Sequence, residues 1–422
     1  MSNDPESWTI ERIVPGGDGM AHLGDGRVAF ASSTAPGDVI AVRRRIQKKS
    51  YARALDYEVV KPGEGRVSPE CPHAAECGGC DLMHLSRATE LEAKRSILDQ
   101  ALQRTGGFHD LGELPPLITA GAELGYRTRL RVHVARSGRL GLYAEKSHLV
   151  VPIRRCAVAR DPINAALERV ASALSEHAAL VEAIAELELQ VDDDDRVMLF
   201  ASPRDGVEPT RAQIAVAAAL GPEGWAVAGV KQHGEPQRFR LDADLTLLAP
   251  AGVFVQVNWE VNRKLVGDVV AEAAALGVQR FVELYCGAGN FSLPLARGRT
   301  GVAVDRDGAG LRSAQQVAKA QDLQELSFLD ADLARGMPKL PKRMAKPDLL
   351  VLDPPRTGAK HIIGDVARLR AKHIAYVSCD PVTLARDAKL LVEYGYGLRK
   401  VQAYDMFPRT HHFETVMWLA EV

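Results

Sequence analysis

The stretch ELYCGAGNFSLPLA, residues 283–296, combines a short apolar run, a turn with two glycines and the start of a helix. Gly287 and Gly289 would let the backbone approach a ligand closely where the strand ends. A Gly-x-Gly pair alone is weak evidence for a ligand site. The fingerprint of dinucleotide-binding sheets has a third glycine where this chain has Ser292, so a nicotinamide-linked dehydrogenase is disfavoured.

The stretch lies in a region where predicted strands and helices alternate. From residue 251 onward, helical segments separate four apolar runs, which are RFVELYC (280–286), TGVAVD (300–305), DLLVLD (348–353) and HIAYVSC (373–379). This alternation predicts a Rossmann-like α/β domain, with a parallel, doubly wound sheet covered by helices on both faces.

An acidic residue closes the second of these strands. Asp305 ends TGVAVD, where a carboxylate can accept hydrogen bonds from both hydroxyls of a ribose. An adenosine without a pyrophosphate fits this carboxylate together with the glycine turn. S-adenosylmethionine is the common ligand of that kind, so we predict that the region binds it.

Three further polar residues flank predicted strands. Asp353 opens DPPR, Cys379 follows the apolar run HIAYVS, and Glu414 directly precedes TVMWL. A lone cysteine in a strand is by default a packed residue, and a Pro-Pro pair by itself indicates a stiff loop. Because the carboxyl ends of parallel strands meet at one edge, however, we expect Cys379 to share a rim with Asp305 and Asp353. We interpret Cys379 as a nucleophile and Glu414 as a base.

A thiol and a carboxylate that face a methyl donor are the groups that the methylation of a pyrimidine carbon requires. Carbon 5 of uracil is too weak a nucleophile to attack a sulfonium, whereas thiolate addition to carbon 6 turns the ring into an enolate that takes the methyl group. A base then removes the carbon-5 proton and the thiolate is expelled. Cys379 and Glu414 have the residue types that these two tasks need.

On these residues the chain resembles the RNA (uracil-5)-methyltransferase family, close to the bacterial type that modifies large-subunit ribosomal RNA. The resemblance covers essentially the whole length and implies a class I methyltransferase domain, a TRAM-type barrel and a cysteine-rich insert. It implies that Cys379 is the nucleophile and Glu414 the base. The family more often has Glu at position 305 and Asn at position 380. The S-adenosylmethionine-binding positions would be Gln256, Tyr285, Gly287, Asn290, Asp305, Asp332 and Asp353.

Four cysteines of the N-terminal half form a second motif. CPHAAECGGCDLMHL has a C-x5-C-x2-C spacing, and a further cysteine follows in PIRRCAVA. Without a signal peptide, clustered thiols favour metal over disulfides. Zinc sites usually start with C-x2–4-C, whereas iron–sulfur spacing is looser, so spacing favours a cluster over zinc by about two to one. The family resemblance implies a 4Fe-4S cluster on Cys71, Cys77, Cys80 and Cys156.

The length of 422 residues predicts two or three domains. Short β-prone runs with glycine turns near the N-terminus predict a small barrel. We assign residues 1–62 to an OB-like TRAM barrel that binds RNA, with a purely structural barrel as the alternative. Residues 63–250 would form a β-rich central iron–sulfur domain with one helix at 161–186, and residues 251–422 the methyltransferase domain.

The net charge of −1 gives no bulk attraction to nucleic acid, so RNA contacts must come from local patches. Candidates are the basic segments 43–53, 126–139 and 368–373, although each alone is also typical of a solvated face. No apolar run approaches the roughly 20 residues that span a bilayer, and the N-terminus lacks the features of a signal peptide. We expect a cytoplasmic monomer without membrane or protein partner that acts on 23S ribosomal RNA.

Three other functions were weighed against this one. A methyltransferase for the T-loop of transfer RNA is the nearest, but its usual bacterial forms lack the barrel and the cysteine insert. A non-catalytic RNA-binding iron–sulfur protein would require losses among the rim residues, and the sequence has none. A cytosine-5 enzyme would have a Pro-Cys or Thr-Cys context, which is absent around Cys379.

Overall fold

The computed structural model of the protein describes residues 6–208, 210, 224–227 and 231–422. Its first sheet has the order β1-β5-β6-β4-β3-β2. The two edge strands β1 and β2 are joined by two residues, so one bent segment pairs with both ends of the sheet. The sheet therefore curls around its own apolar core. Its strands are β1 (Glu6–Thr9), β2 (Arg12–Ile13), β3 (Gly19–His22), β4 (Val28–Ala31), β5 (Val39–Gln47) and β6 (Tyr51–Lys61).

Helix α1 (Arg87–Ala101) follows and runs into a π-helical turn, Leu102–Gly106. The Ser86 side chain caps its first turn by accepting a hydrogen bond from the N–H of Thr89. Ile97 and Leu98 are buried in the same core as the C-terminal sheet. The helix thus packs on the C-terminal sheet although it lies within residues 63–250 of the sequence.

A second sheet has the order β13-β12-β11-β10-β7-β8-β9, and two helices cover it. It is antiparallel except for the pairing of β11 with β12. Its strands are β7 (Arg129–Val134), β8 (Leu140–Tyr143), β9 (Val150–Pro152), β10 (Ile184–Val191), β11 (Val197–Pro203), β12 (Trp225–Val227) and β13 (Lys231–His233). The helices are α2 (Asp161–Glu176) and α3 (Ala178–Ala183).

The prediction of one helix over 161–186 is wrong in its last part. Helix α2 ends before His177, and β10 begins at Ile184. Strand β10 pairs with β7 on one side and β11 on the other, so its backbone hydrogen bonds are satisfied in the sheet rather than in a helix.

The hairpin of β14 (Gln237–Arg240) and β15 (Thr246–Ala249) leads to the C-terminal sheet, in the order β18-β17-β16-β19-β20-β22-β21. Strands β16 to β20 are parallel and β22 is antiparallel to both neighbours. The predicted doubly wound parallel sheet is confirmed. The strands are β16 (Arg280–Leu284), β17 (Thr300–Asp305), β18 (Leu326–Asp330), β19 (Leu349–Leu352), β20 (His373–Ser378), β21 (Tyr396–Tyr404) and β22 (Glu414–Glu421).

Helices cover both faces of this sheet. On one face they pack with α1 in a single apolar core, and on the other they share a core with the β14–β15 hairpin. None of the helices described is both long and apolar enough to cross a membrane. The helices are α4 (Trp259–Ala275), α5 (Ser292–Leu295), α6 (Gly308–Ala320), α7 (Ile363–Arg368) and α8 (Pro381–Glu393), with 3-10 turns at Leu333–Arg335, Lys342–Met344 and Lys360–Ile362.

Candidate active site at the carboxyl edge of the sheet

The order of the C-terminal sheet reverses at β16, which has β17 on one side and β19 on the other. In open α/β sheets, ligands bind at such a switch point, beyond the carboxyl ends of the strands. Because β22 runs opposite to its neighbours, its first residue lies at this same edge. The edge therefore carries Tyr285, Gly287, Asp305, Asp332, Asp353, Cys379 and Glu414.

The turn after β16 has an unusual backbone. Tyr285 has a φ of +65° and Gly289 a φ of +90°, both in the left-handed region. A positive φ at a non-glycine residue costs free energy and is often found at ligand sites. The Tyr285 hydroxyl is buried and has no hydrogen-bond partner among the described residues. The turn is thus shaped to present this hydroxyl to a bound molecule.

Asp305 holds this turn from the neighbouring strand. Its Oδ2 accepts a hydrogen bond of 2.8 Å from the N–H of Gly287, and its Oδ1 accepts one of 2.8 Å from the N–H of Asp307. A carboxylate has about four acceptor positions, so two remain for other donors. The substitution of Asp for the more usual Glu keeps the acidic group at the end of β17.

Asn290 and Asn262 form a reciprocal amide pair, with distances of 2.8 and 2.9 Å. This pair ties the glycine turn to the first turn of α4. Gln256 lies in the loop before α4, and its carbonyl accepts a hydrogen bond of 3.1 Å from the hydroxyl of Thr128. Asn262 was not predicted from the sequence, since a single Asn in a helix carries no signal of a partner 28 residues away.

Asp332 lies beyond the end of β18. Its side chain caps the following 3-10 turn by accepting a hydrogen bond of 3.1 Å from the N–H of Ala334. Arg306 and Arg335 approach its carboxylate at 3.9 and 3.5 Å. The carboxylate is partly exposed, so it can also accept a hydrogen bond from a ligand at the edge.

Cys379 and Glu414 meet across two neighbouring strands. In the pairing of β20 with β22, Ser378 lies opposite Thr415. Cys379 and Glu414 come next along the two strands, directly beyond this last pair, and the Glu414 charge acts on the Cys379 thiol. The thiol and the carboxyl group are therefore neighbours at the edge, next to Asp353 at the end of β19.

This cluster of acidic groups is protonated more readily than usual. Burial, together with the nearby Asp353, raises the pKa of Glu414 well above its ordinary value. Burial and Asp305 raise the pKa of Asp353 to about 7. Burial and Glu414 raise the pKa of the Cys379 thiol to about 12, whereas Arg356 lowers it. Oε2 of Glu414 has no hydrogen-bond partner in the part of the chain that the structure describes.

Helix α8 begins directly after Cys379. Asp380 is its N-cap, since its carboxylate accepts a hydrogen bond of 2.8 Å from the N–H of Thr383. Asn would serve equally as this cap, so the departure from the usual family residue is conservative. The positive end of the helix dipole and the Arg356 guanidinium both favour the charged form of the Cys379 thiol, against the larger effect of burial on its pKa.

Arg356 belongs to a loop that hydrogen bonds hold against the neighbouring helix α8. Oδ2 of Asp387 accepts hydrogen bonds of 2.7 Å from the Tyr376 hydroxyl and from the N–H of Ala359. The Thr383 hydroxyl donates to the Arg356 carbonyl at 3.2 Å. These bonds fix the DPPRTGA loop against α8 and so fix Asp353 and Arg356 beside Cys379.

Glu283, on β16, is a further acidic residue close to the glycine turn. Its side chain is buried, and neither carboxylate oxygen has a hydrogen-bond partner within the described structure. Burial raises its pKa to about 8. It was quoted in the sequence motif but given no role there. An unpaired carboxyl group of this kind can receive a polar group of a ligand directly or through water.

The loop before Glu414 rests on a buried ionic network. Lys94 on α1 is fully buried, and its Nζ contacts Oε1 of Glu90 at 2.7 Å, Oδ1 of Asp405 at 2.5 Å and the carbonyl of Phe407 at 3.1 Å. Arg87 also pairs with Asp405. The network therefore joins α1 to the loop that leads into β22 and Glu414.

The four N-terminal cysteines lie around one cavity of about 160 Å³. Burial and the other thiols raise the pKa of Cys80 to about 12. The structure places no three or more His, Cys, Asp or Glu side chains of the described residues in a group that could hold a single metal ion. The lining includes Cys71, Cys77, Cys80 and Cys156, with Met83, Leu130 and Ile153 as apolar walls.

The remaining cysteine of the sheet, Cys286, is buried in the glycine turn. Burial raises the pKa of its thiol well above the ordinary value. Its burial in the turn is that of a packed residue rather than of a thiol open to a substrate.

The sheet order, the glycine turn and the acidic residue at the end of β17 define the class of the C-terminal half, a Rossmann-like methyltransferase domain. Residues 242–328 and 343–422 match the tRNA (Uracil-5-)-methyltransferase family. Over nearly the whole chain the protein is similar to curated relatives at more than 30% identity. The chain belongs to the RNA (uracil-5-)-methyltransferase family.

Three relatives are named 23S rRNA (uracil(1939)-C(5))-methyltransferase RlmD. That of Alkalilimnicola ehrlichii is 34% identical over 99% of this chain and 96% of the relative. Those of Pseudomonas putida and Shewanella halifaxensis are 33% and 32% identical over 96% and 95% of this chain, and over 92% of each relative.

A solved structure shares the fold. It is the Pyrococcus abyssi tRNA (uracil-54, C5)-methyltransferase in complex with S-adenosyl-L-homocysteine, with a TM-score of 0.74 and 24% identity. The match covers 98% of this chain and 100% of that chain. The overall fold is therefore common to both proteins.

Proposed function

We propose that the protein transfers a methyl group from S-adenosylmethionine to carbon 5 of one uridine in 23S ribosomal RNA. The observation that carries the proposal is the placement of Cys379 beside Glu414 and Asp353, at the carboxyl edge of the sheet. The RNA substrate is inferred from the relatives named for 23S rRNA, which match over almost their whole length.

The alternative substrate is the T-loop of transfer RNA. The archaeal neighbour is named for tRNA and shares the architecture over 98% of this chain. The overall fold alone therefore does not separate the two substrates. The similarity to the 23S relatives favours ribosomal RNA.

The substrate can be identified by mapping 5-methyluridine in a deletion strain. Loss of the modification from 23S RNA, with transfer RNA unchanged, is the expected result. Loss from the T-loop alone would contradict the proposed substrate, and purified protein should methylate the corresponding RNA in vitro.

The methyl donor would supply an electrophilic methyl group at the edge. Asp305 would bind the ribose hydroxyls, and Tyr285, Asn290, Gln256 and Asp332 the rest of the ligand. Gly287 lets the backbone approach, and Asp353 lies between this ligand and Cys379.

Cys379 would begin the reaction by losing its thiol proton to solvent, helped by Arg356 and the α8 N-terminus. The thiolate forms a bond to carbon 6 of uracil, and the electron pair of the ring double bond moves onto the carbonyl oxygen as an enolate. Carbon 5 then forms a bond to the methyl carbon, and the bond from that carbon to the donor's sulfur breaks, so the donor would leave as a neutral thioether.

Glu414 would finish the reaction. Its carboxylate removes the carbon-5 proton, the ring double bond reforms, and the Cys379 thiolate leaves. Because its pKa is raised, Glu414 is a strong enough base for a carbon acid once it has ionised.

Asp305→Ala is expected to weaken S-adenosylmethionine binding by about 1.5–3 kcal/mol, because it removes a charge-assisted contact to the ribose. Calorimetric titration measures the loss directly. Asp305→Glu, which restores the usual family residue, is the matched control and should bind nearly as tightly as the unchanged protein. Unchanged affinity in Asp305→Ala would refute the ribose contact.

We also propose that Cys71, Cys77, Cys80 and Cys156 hold a 4Fe-4S cluster. The support is the cavity of about 160 Å³ that the four side chains surround, together with the preference of thiolates for iron–sulfur clusters. A cluster there would cross-link the segment 71–80 to residue 156. We assign it a structural role, since the cavity is separate from the carboxyl edge that carries Cys379.

Protein purified without oxygen is expected to be brown and to contain iron and acid-labile sulfide. Removal of the iron should lower thermal stability or RNA binding more than the affinity for S-adenosylmethionine, because metal binding is linked to folding. Stoichiometric zinc without iron would contradict the cluster.

The TRAM-like segment 1–62 would bind RNA through charge and stacking. Strand β5 carries Arg43, Arg44 and Arg45 on exposed positions, and Tyr51 is exposed at the start of β6. A uridine in folded RNA must leave its stack to reach Cys379, at a cost of a few kcal/mol that such contacts offset.

The other two domains would share the remaining tasks. Residues 63–250 would add further contacts to RNA, and residues 251–422 would carry the chemistry. The protein would act as a cytoplasmic monomer.

A further inference from the structure

A groove of about 410 Å³ opens on the second sheet, apart from the carboxyl edge and from the cysteine cavity. It lies between the β7–β8 turn, the β8–β9 turn and the end of β11. We call it the β8 groove. Its polar and aromatic lining consists of His133, Arg136, Arg139, Tyr143, His148, Glu186 and Arg204.

The β8 groove is positively charged. Arg136 and Arg139 are exposed, and neither forms an ion pair with a carboxylate of the described residues. The Arg204 guanidinium donates to the carbonyls of Val134 at 2.7 Å and Val181 at 3.0 Å, so no acid of the described residues neutralises its charge. Burial and the nearby Arg136 lower the pKa of Arg204, as expected for cations held close together.

Among the described lining residues, Glu186 is the single carboxylate, and it already contacts two basic side chains. Its Oε1 lies 3.2 Å from Nδ1 of His133, and its Oε2 lies 3.9 Å from Arg131. The three arginines are therefore the charges that a ligand in the groove would meet. Such a ligand must be anionic.

The same groove has aromatic walls. Tyr143 stacks on His133 with ring centroids 3.6 Å apart and planes inclined by 10°. His148 packs its ring edge-on against Tyr143 at 5.2 Å, and the Leu149 side chain beside it is 68% exposed. Arginines next to exposed rings and an apolar side chain match a nucleotide, which has an anionic phosphate and an apolar base face.

Strand β7 connects the groove to the proposed ligand site. Its neighbour Thr128 bonds to the carbonyl of Gln256, and its other end carries His133 in the groove wall. A strand of six residues spans about 20 Å, which a few nucleotides of RNA can bridge. Arg129 and Arg131 alternate with Leu130 and Val132 and so lie on the His133 face.

An exposed aromatic side chain lies next to the first residue of β7, at the end of the strand nearest Gln256. Phe254 is 54% exposed, and the Arg129 guanidinium lies 4.6 Å from its ring centroid. The basic stretch 126–139 of the sequence thus supplies both the strand and the groove.

We propose that the β8 groove binds a nucleotide that flanks the target uridine in single-stranded RNA. Arg136 and Arg139 hold its phosphate, and the Tyr143–His148 wall with Leu149 receives its base. The inference rests on the proposed function, because it assumes that the substrate is RNA, and it adds a contact more than one strand length from the reacting thiol.

The test uses the full-length protein and the RNA that the unchanged protein methylates. Arg136→Ala/Arg139→Ala is expected to weaken RNA binding about tenfold. The loss of one neutralised phosphate on a single strand should reduce the slope of log K against log salt by about 0.7. The rate at saturating RNA should stay unchanged, since neither residue is near Cys379.

The matched control is Arg169→Ala/Arg399→Ala, which removes two exposed arginines elsewhere and should leave both affinity and slope as they are. Tyr143→Ala should weaken binding, whereas Tyr143→Phe should retain it because the ring is kept. RNA carrying 4-thiouridine a few nucleotides away from the target should cross-link to residues 133–149.

Equal affinity in the groove variant and the control variant, with cross-links confined to the β5–β6 hairpin, would overturn the groove site. The same result is expected if the groove takes an acidic protein segment instead. If the unchanged protein methylates no RNA, the proposed function is wrong. The methylation assay gives that result, whereas the binding measurements test the groove site.

Discussion

Glu414→Gln is expected to trap the protein covalently on its RNA. If Glu414 removes the carbon-5 proton, the amide can no longer do so, while Cys379 can still add to carbon 6. The reaction then stops before the thiolate is expelled. A protein–RNA complex that survives denaturing electrophoresis should accumulate, and turnover should fall by at least about 10²-fold, the lower end of what a positioned base contributes.

Cys379→Ala should form no such complex and show no turnover, because without the thiolate the enolate cannot be made. The double variant Cys379→Ala/Glu414→Gln should also form none. Cys286→Ala is the matched control, since Cys286 is the other cysteine of this C-terminal domain, and it should react like the unchanged protein.

RNA containing 5-fluorouridine should give the same complex with the unchanged protein, because fluorine cannot leave as a proton does. Mass spectrometry should place the RNA on Cys379. Turnover in Cys379→Ala, or attachment to Cys286, would show that the mechanism is wrong.

The sheet that carries these residues was predictable because each strand is a compact apolar run. β16, β17, β19 and β20 lie within the runs predicted from sequence, and a buried parallel strand has apolar residues on both faces. The edge residues were predictable for the same reason, since the last residue of each run marks where the edge lies. Their roles still require the experiments above.

The error over residues 161–186 has a physical origin. Alanine and leucine favour helix, but ELELQV, 186–191, alternates apolar and polar residues and so has the period of a strand. The pairing of β10 with strands on both sides determines the structure there. The local sequence alone does not indicate those partner strands.

The buried contacts that support the site could not be predicted. The amide pair of Asn262 with Asn290 and the ion pair of Lys94 with Asp405 join residues 28 and 311 positions apart. A lysine with a glutamate four residues before it on a helix is typical of an exposed salt bridge, and Lys94 with Glu90 has that pattern. Because the loop after β21 buries this pair, its contribution to stability differs from that of an exposed salt bridge.

Lys94→Met is accordingly expected to destabilise the protein by about 3–5 kcal/mol, the usual cost of leaving buried charges without their partner. Glu90 and Asp405 are fully buried, so the substitution leaves two carboxylates facing each other without the Nζ that bridges them. Urea unfolding measures the loss. Lys264→Met is the matched control, because Lys264 forms an i,i+4 pair with Asp268 on the surface and exposed pairs contribute about 1 kcal/mol or less.

The same variant tests whether the network holds the base in place. Asp405 and Phe407, two of the three partners of Lys94, belong to the loop that enters β22 at Glu414. The folded fraction of Lys94→Met should therefore react with 5-fluorouridine RNA to form the Cys379 adduct, yet complete turnover on ordinary RNA more slowly, because the carboxyl group is less well held. Lys94→Met/Asp405→Asn should recover part of the stability, since one of the two buried carboxylates that then share Arg87 as a partner becomes neutral. A loss below about 1 kcal/mol, equal to that of the surface control, would mean that the network contributes no more than an exposed pair.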